Sequence, residues 1–515
     1  MSGVPIARSS TPPPVAGCSP LFEAAALREA DRRASADHQM PSILLMERAG
    51  LASAREIIRR HPSARAALVL VGPGNNGGDG MVVARHLAEA GWDVQVRAPG
   101  GRGPAGADAA TMVAVAGSLG IEIAPLEPLA PAAGTVVVDA LLGTGAAGAP
   151  RGEVGRAVEW MATLGAPVVA LDIPSGVDGD SGRVAGAAVT AGLTVTYHGD
   201  MPGLRVTPGA THAGEVVVAD IGIPSAVTVP ARAWRAGAGV IAAIPPKGAA
   251  SDKYAAGAVL VVAGAPGLTG AACLAARATL RSGGGLTVVA APAAVQPLIA
   301  AQLVEIMCTP VPDAAGYLST ASADEVARQA RRVGALAVGP GIGRAPATTP
   351  AVEAILASID LPAVVDADGL WHMAELAGPV ARTAPTVLTP HCGEAARLLG
   401  AERAEVEAGR IDAALELAAR HGAIVALKGP GTVVAAPDGR LVVNGTGSSA
   451  LATAGTGDVL TGVLAVNLSK GMDPFAAAVT AVALHGYAGD LAGRGEGTIA
   501  SDVLEALPGA RAAVV

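Results

Sequence analysis

The chain has 515 residues, a formal charge of −8, 51% hydrophobic residues and only 2% aromatic ones. That length suits two or three domains, and a core packed from Ala, Val, Leu and Gly suits layered α/β architecture. The acidic balance excludes nucleic acid as the main partner, because phosphate backbones require clustered Lys and Arg. Cys18, Cys273, Cys308 and Cys392 lie far apart with no CxxC, which excludes a disulfide scaffold or a zinc site and points to a reducing cytoplasm.

Residues 1–20 are expected to form a disordered tail. "VAGCS" at 15–19 is preceded by "RSSTPPP", which lacks the apolar run of an export signal. Two helices broken near Pro41 should follow, then strands in "AALVLVG", "DVQVRA", "TVVVDALLG" and "PVVALDIPSG". Each is followed by a turn and usually a helix, so the spacing predicts a parallel sheet with helices on both faces. A Pro- and Ala-rich stretch, 229–248, reads as a linker between a first domain (21–228) and a second (249–515). The second series starts at "AVLVVAGAPG" and ends at "ATAGTGDVLTGVLAVNL", with a hairpin in "TVVAAPDGRLVVNG". Ser282 to Val304 is uncharged, but Gly283–Gly285, Pro292 and Pro297 interrupt it. A buried strand and a loop are expected there, and no membrane partner.

In the first domain, "GPGNNGGDG" (72–80) joins a strand to a helix. Gly72, Gly74 and Gly77 satisfy G-x-G-x-x-G, yet Asp93 falls before the second strand, where a dinucleotide fold would need its acidic residue after it. Asn75, Asn76 and Asp79 add side-chain oxygens to a turn that otherwise offers amides, as a hard cation or a hydrogen-bonding ligand would require. Two further strand ends supply Asp139 with the glycine-rich turn 143–148, and Asp172 with Ser175. Each alone can be a cap or a turn residue. Together they read as one site.

In the second domain, Gly455 and Gly457 bracket Thr456 just before an apolar helical run. Amides at such a helix start attract an anion. Asp458, beside that hole, is suited to take a proton from a hydroxyl attacking a phosphoryl group. Lys428 ends a strand before another glycine-rich turn, and it is one of only four lysines, with Lys247, Lys253 and Lys470. Asp366 and Asp368 follow a third strand; His391 and Glu394 follow a fourth. Open α/β sheets bind ligands at these strand ends.

The ordered run "GAVLVVAGAPGLTGAACLAARATLRSGGGLTVVA", "VGPGIG", "VVDADGL", "VLTPHCGEAARLLG", "LKGPGT" and "ATAGTGDVLTG" resembles the ADP-dependent NAD(P)H-hydrate dehydratases of the ribokinase-like superfamily, over about 250–505. The resemblance implies a ribokinase-like αβα fold that phosphorylates the hydroxyl of hydrated NADH or NADPH (NADHX, NADPHX) at the expense of ADP. Phosphate elimination then restores the ring double bond. It implies that Lys428, Gly429, Pro430, Gly431, Thr432 and Gly457 contact the nucleotide, and that Asp458 is the base. Ala272, Gly341 and His391 would line the hydrate site, and Mg²⁺ would bridge phosphates with Glu394 nearby. Cys392 stands where the family has proline, "GSSALATAG" departs from its usual run, and "SDKY" lacks a preceding histidine.

"ADRRA", "MPSILLMERAG", "GPGNNGGDG", "DALLGTG…RGE" and "DIPSGVDGDSG" resemble the NAD(P)H-hydrate epimerases over about 20–225, a Rossmann-like three-layer αβα fold. This implies that Asn75, Asn76, Gly77, Gly78 and Asp79, with Gly143, Thr144, Gly145, Ala146, Ala147 and Gly148, hold the substrate phosphates. Asn76, Asp139 and Ser175 would ligate K⁺, and Asp172 would act at the ring as acid and base. Met201 replaces a family lysine, so Arg205 or another arginine must substitute, or epimerisation is weak. A homo-oligomer is expected. The alternatives are a ribokinase-like small-molecule kinase with a ligand-binding first domain, and a binding module; retained Asp139, Asp172 and Ser175 argue against the latter.

Overall fold

The computed structural model describes residues 7–127 and 131–514. The chain forms two compact units, one built on Ser19–Trp234 with residues 7–12, the other on Arg235–Val515 with Pro13–Cys18.

The first unit holds a seven-stranded, wholly parallel sheet. From one edge its strands are Ile123–Pro125, Asp93–Ala98, Ala66–Val71, Thr135–Ala140, Val168–Leu171, Leu193–Tyr197 and Glu215–Ala219. The chain therefore starts in the middle, works outward to one edge, then returns to build the other. The order reverses between Ala66–Val71 and Thr135–Ala140, and that switch point is where a doubly wound sheet leaves a crevice beyond its carboxyl ends. Ala66–Val71 and Thr135–Ala140 are almost wholly buried, as strands covered by helices on both faces must be. The predicted break at Pro41 separates Ala24–His38 from Ser42–Arg60: the proline's preceding residue is barred from helical geometry.

In the second unit the main sheet runs Met307–Val311, Leu286–Pro292, Ala258–Val262, Ala335–Val338, Ala363–Val365, Thr386–Leu388 and Ile424–Leu427, all parallel. The hairpin Val433–Ala435 and Leu441–Asn444 extends it antiparallel. The Thr456–Ser469 helix is buried along most of its length against Thr269–Arg281. Pro474–Ala492 is long and apolar enough to cross a bilayer by composition, but most of it is buried inside this unit.

Three expectations need correction. Residues 1–6 of the presumed tail lie outside the described residues, but Arg8–Ser9 is a strand paired in parallel with Thr228–Val229, and Cys18–Leu21 is also a strand. The presumed linker carries a strand, Ala233–Ala236, and a 3₁₀ turn, Ala238–Ala243. Strands this short depend on a distant pairing partner, which no local pattern reveals. The stretch after Leu286–Pro292 is not all loop, since Gln296–Ala300 is a short helix.

Candidate functional sites

The first site lies at the switch point. Its loop must pass very close to the neighbouring strand end: a Cβ on Gly72 would sit 1.8 Å from the Leu141 carbonyl oxygen, and one on Gly77 would sit 2.1 Å from that of Gly72. Only glycine permits this approach. The helix that follows, Asn75–Glu89, therefore starts at the crevice with its amides facing it. A cavity of about 520 Å³ opens there, lined by Pro73–Asn76, Asp79, Leu142–Ala146 and Asp172, and by Arg28, Asp31, Tyr197 and His198. Its volume is that of a small-molecule site.

Beneath it, Asp139 is fully buried. Its carboxylate accepts hydrogen bonds from the Ser175 hydroxyl (2.7 Å), the Ser175 amide (2.8 Å) and the Leu141 amide (3.2 Å). Burial pushes its pKa up to about 6 against these bonds. The Asn76 amide nitrogen donates to the Leu142 carbonyl at 3.0 Å, while Asn76 Oδ1 is buried with no partner. An orphaned buried acceptor is costly, and it is the donor atom a cation would take. Among the described residues no group of three or more His, Cys, Asp or Glu is arranged for a metal; the oxygens here come from Asn, Ser and one Asp.

Asp172 follows Val168–Leu171 with a left-handed backbone, φ 64°. Its Oδ2 accepts from the Thr144 amide at 2.8 Å, which ties it to the second glycine-rich turn. Burial raises its pKa, while the Thr144 bonds and the Arg28 charge oppose the rise. The predicted phosphate residues divide. Asn75, Asn76, Asp79, Gly143, Thr144, Gly145 and Ala146 line the cavity; Gly77 and Gly78 pack behind the loop against Gly72 and Met46; Gly148 faces a smaller cavity of about 190 Å³; Ala147 lines neither.

Met201 is fully buried against Ile173 and Leu204. Arg205 does not replace the missing lysine: its Nε donates to Asp200 at 2.9 Å. The cation that does line the cavity is Arg28, whose guanidinium donates to the Thr144 carbonyl at 3.1 Å. Arg28 and Asp31 are three apart in Ala24–His38, so helical spacing puts them on one face. That spacing was the available signal for residues otherwise indistinguishable from surface charge.

The second site gathers groups from three strand ends and one helix start. Lys428 Nζ donates to Asp366 Oδ1 at 2.7 Å and lies 3.8 Å from Glu394. Thr461, one turn beyond Asp458, donates to the other Asp366 oxygen at 2.7 Å. Gly457 leaves the space above this pair open, since a Cβ there would lie 3.3 Å from Lys428 Nζ. Asp366 is held low despite burial, chiefly by Lys428. Asp458 is different: burial first, then Asp366, push it up to about 7, with Lys428 opposing. The Gly429–Thr432 turn is braced by buried Arg410, which donates to the carbonyls of Leu427 (3.1 Å) and Pro430. Arg410 also bonds the Cys392 side chain, so the cysteine that replaces proline is tied to the same turn.

His391 is mostly exposed and caps Cys392–Leu399: its Nδ1 accepts from the amides of Gly393 (3.0 Å) and Glu394 (3.2 Å). A parallel bridge links it to Lys428. Gly341, at φ 59°, turns so tightly over the Leu268 carbonyl that a Cβ would come within 2.6 Å. Ala272 is fully buried on Thr269–Arg281, so its side chain offers no open surface. Thr461 and Arg410 carried no local sequence signal, because each acts on a group distant in the chain.

Two family models match: NAD(P)H-hydrate dehydratase over residues 259–508, and YjeF-related protein N-terminus over 42–203. The bifunctional NAD(P)H-hydrate repair enzyme Nnr of Moorella thermoacetica is 40% identical over 511 residues, covering 95% of this chain and 96% of that protein. The chain belongs to the bifunctional NAD(P)H-hydrate repair enzymes. Another member, from Salinibacter ruber, is 39% identical over 524 residues, with 95% of this chain and 96% of its own length covered. Among solved structures, the ADP/ATP-dependent NAD(P)H-hydrate dehydratase of Bacillus subtilis, co-crystallised with ATP/Mg²⁺, is 32% identical. It covers 54% of this chain and 97% of its own, with a TM-score of 0.47. The second site of the repair enzyme lies within the dehydratase match, and the first lies within 42–203 apart from residues such as Arg28 and Asp31.

Proposed function

We propose that the second site dehydrates the S epimer of hydrated NADH and NADPH at the expense of ADP, and that the first interconverts the R and S epimers. The observation that carries this reading is the setting of Asp458. It is a carboxyl pushed up to about 7 by burial, one residue beyond Gly457 at an anion-attracting helix start. A base with a pKa near the working pH is best placed to accept a hydroxyl proton. Asp458 takes the proton of the ring hydroxyl as that oxygen attacks the terminal phosphoryl group. Lys428 and the amides of Gly429, Gly431, Thr432 and Gly457 hold the nucleotide phosphates, and Gly341 and His391 border the hydrate. Phosphate then leaves with the ring carbon–oxygen bond, and loss of a neighbouring ring proton restores the double bond. Mg²⁺, when bound, neutralises phosphate charge, with Glu394 and Asp366 the carboxylates nearest Lys428.

In the first site the orphaned Asn76 oxygen, buried Asp139 and the Ser175 hydroxyl fit K⁺, which would balance Asp139 and the substrate's phosphates. Asn75, Thr144 and Gly145 hold those phosphates, and Asp172 acts at the ring as acid and base. Four free cysteines support action in the cytoplasm. The test supplies each epimer separately with ADP and Mg²⁺ and follows reduced-nicotinamide absorbance and free phosphate. Both epimers should be restored with equimolar phosphate release. A stable phosphorylated product, or no recovery from either epimer, overturns the reading.

A further inference from the structure

The first site contains a group the proposed chemistry has not used. Asp79 lies in the second turn of Asn75–Glu89, beyond the amides that face the crevice, and its side chain lines the cavity while only 8% exposed. No hydrogen bond to its carboxyl is found among the described residues. The charged groups acting on it are of its own sign, Asp172 from the end of Val168–Leu171 and Asp31 from Ala24–His38, and Asp108 from Ala107–Ser118 lines the same cavity. The Tyr197 and Ser53 hydroxyls share a hydrogen bond at 3.0 Å, and His198 has neither ring nitrogen partnered. Arg28, the cation of the cavity, is bound to the Thr144 carbonyl and opposes the rise of Asp172. A buried, unpaired carboxylate beside two others cannot stay ionised. Such a group is also the wrong ligand for a phosphate.

We propose that Asp79 is the proton-donating acid of epimerisation, working on the hydrate's hydroxyl with Asp172 as its paired base. This rests on the epimerase reading of the first site. Hydration of an enamine double bond leaves the hydroxyl on the carbon beside the ring nitrogen. Asp79 gives its proton to that hydroxyl as the carbon–oxygen bond breaks, and the nitrogen lone pair forms the C=N⁺ bond. Water leaves, and water adds to the opposite face while the C=N⁺ electrons return to nitrogen. Asp172, as carboxylate, takes the proton released by the adding water. Asp172 then releases that proton to cavity water, which returns one to Asp79. The two environments part the carboxyls in the required sense: burial, Asp172 and Asp31 drive Asp79 well above the carboxylate range, whereas burial raises Asp172 against the restraint of Thr144 and Arg28. Burial, then Asp172, lift Asp31 to about 6, so it adds negative charge beside Asp79 at neutral pH.

The test is Asp79→Asn, which keeps shape and a hydrogen-bond donor but has no acidic proton. Epimer interconversion is followed by chromatography without ADP, so that the second site is silent. The turnover number should fall by about 10²-fold or more, with KM changed by no more than about threefold. The wild type should lose activity at alkaline pH as Asp79 ionises, and the variant's residual rate should lack that limb. In the Asp458→Asn chain, where that carboxyl is gone, the infrared spectrum at pH 7 should show a protonated carboxyl band that adding Asp79→Asn removes. A raised KM with turnover intact would instead make Asp79 a phosphate contact. Unchanged turnover, or no protonated carboxyl in the folded Asp458→Asn chain, overturns the proposal even if the Asp79 variant folds poorly. Failure of the wild type itself to interconvert epimers would overturn the epimerase reading beneath it.

Discussion

At the scale of single residues, the second site is governed by how Asp366 and Asp458 share one cation. Asp366 takes Lys428 and stays ionised; Asp458, left with burial and a like neighbour, rises to about 7. The base must be unprotonated, so dehydration should fall as pH drops through about 7, and Asp458→Asn should lower its turnover by about 10²–10⁴-fold. The same shift has a stability sign. Its folded pKa of about 7 lies above the ordinary 3.8, so the folded chain binds that proton more tightly, and stability is lost as pH rises from about 4 to 7. Asp458→Asn should therefore melt later than the wild type at pH 8, by on the order of a few kcal/mol, with the gain vanishing near pH 4. A pH-independent difference in melting would contradict the shift. Lys428→Met tests the partner: it leaves Asp366, 1% exposed, unpaired, and should destabilise the unit by about 3–5 kcal/mol. Adding Asp366→Asn to that variant should recover most of the loss, measured by denaturant unfolding. The sequence already placed Asp366, Lys428 and Asp458 at strand and helix ends, since those positions follow from pattern. It did not show Thr461 closing the triad, or Arg205 committed to Asp200, because those depend on side-chain directions across distant segments.

Among elements, the strand–helix alternation was legible because buried parallel strands read as short Val, Ala and Leu runs between glycine-rich turns. Two-residue strands and the 3₁₀ turn of the presumed linker were not, as no periodicity fits in so few residues. What the alternation cannot show is how closely two helices approach. Thr456–Ser469 meets Thr269–Arg281 at Gly462, where a Cβ would lie 2.2 Å from the Ala275 carbonyl oxygen. That obstacle is backbone, so neither helix can yield without moving. Gly462→Ala should cost about 1–3 kcal/mol by forcing the pair apart. It should also slow dehydration, since Asp458 is one turn away on the same helix. Gly145→Ala is the control: nothing lies within 4 Å of its Cβ position, so thermal melting should change by less than about 0.5 kcal/mol. Equal melting of the two variants would show that the helix contact is not limiting.

For the molecule as a whole, the joining of two chemistries in one chain follows from the stereochemistry of the substrate. In the proposed function the second site acts on one configuration at the hydroxyl-bearing carbon, so alone it would strand the other. The first site needs no nucleotide and returns the stranded epimer to the usable pool. Asp172→Asn should therefore give a distinctive time course with mixed hydrates, ADP and Mg²⁺. Absorbance should recover at the wild-type initial rate, then stop at the fraction of S epimer and creep only as fast as the epimers drift uncatalysed. Adding the Asp458→Asn chain, inactive alone because it lacks the base, should restart recovery to completion, because a diffusible epimer links one chain's first site to another's second. A full wild-type time course from Asp172→Asn alone would remove Asp172 from the epimerase chemistry. A plateau that the second variant cannot relieve would mean that the epimer is not released between the two steps.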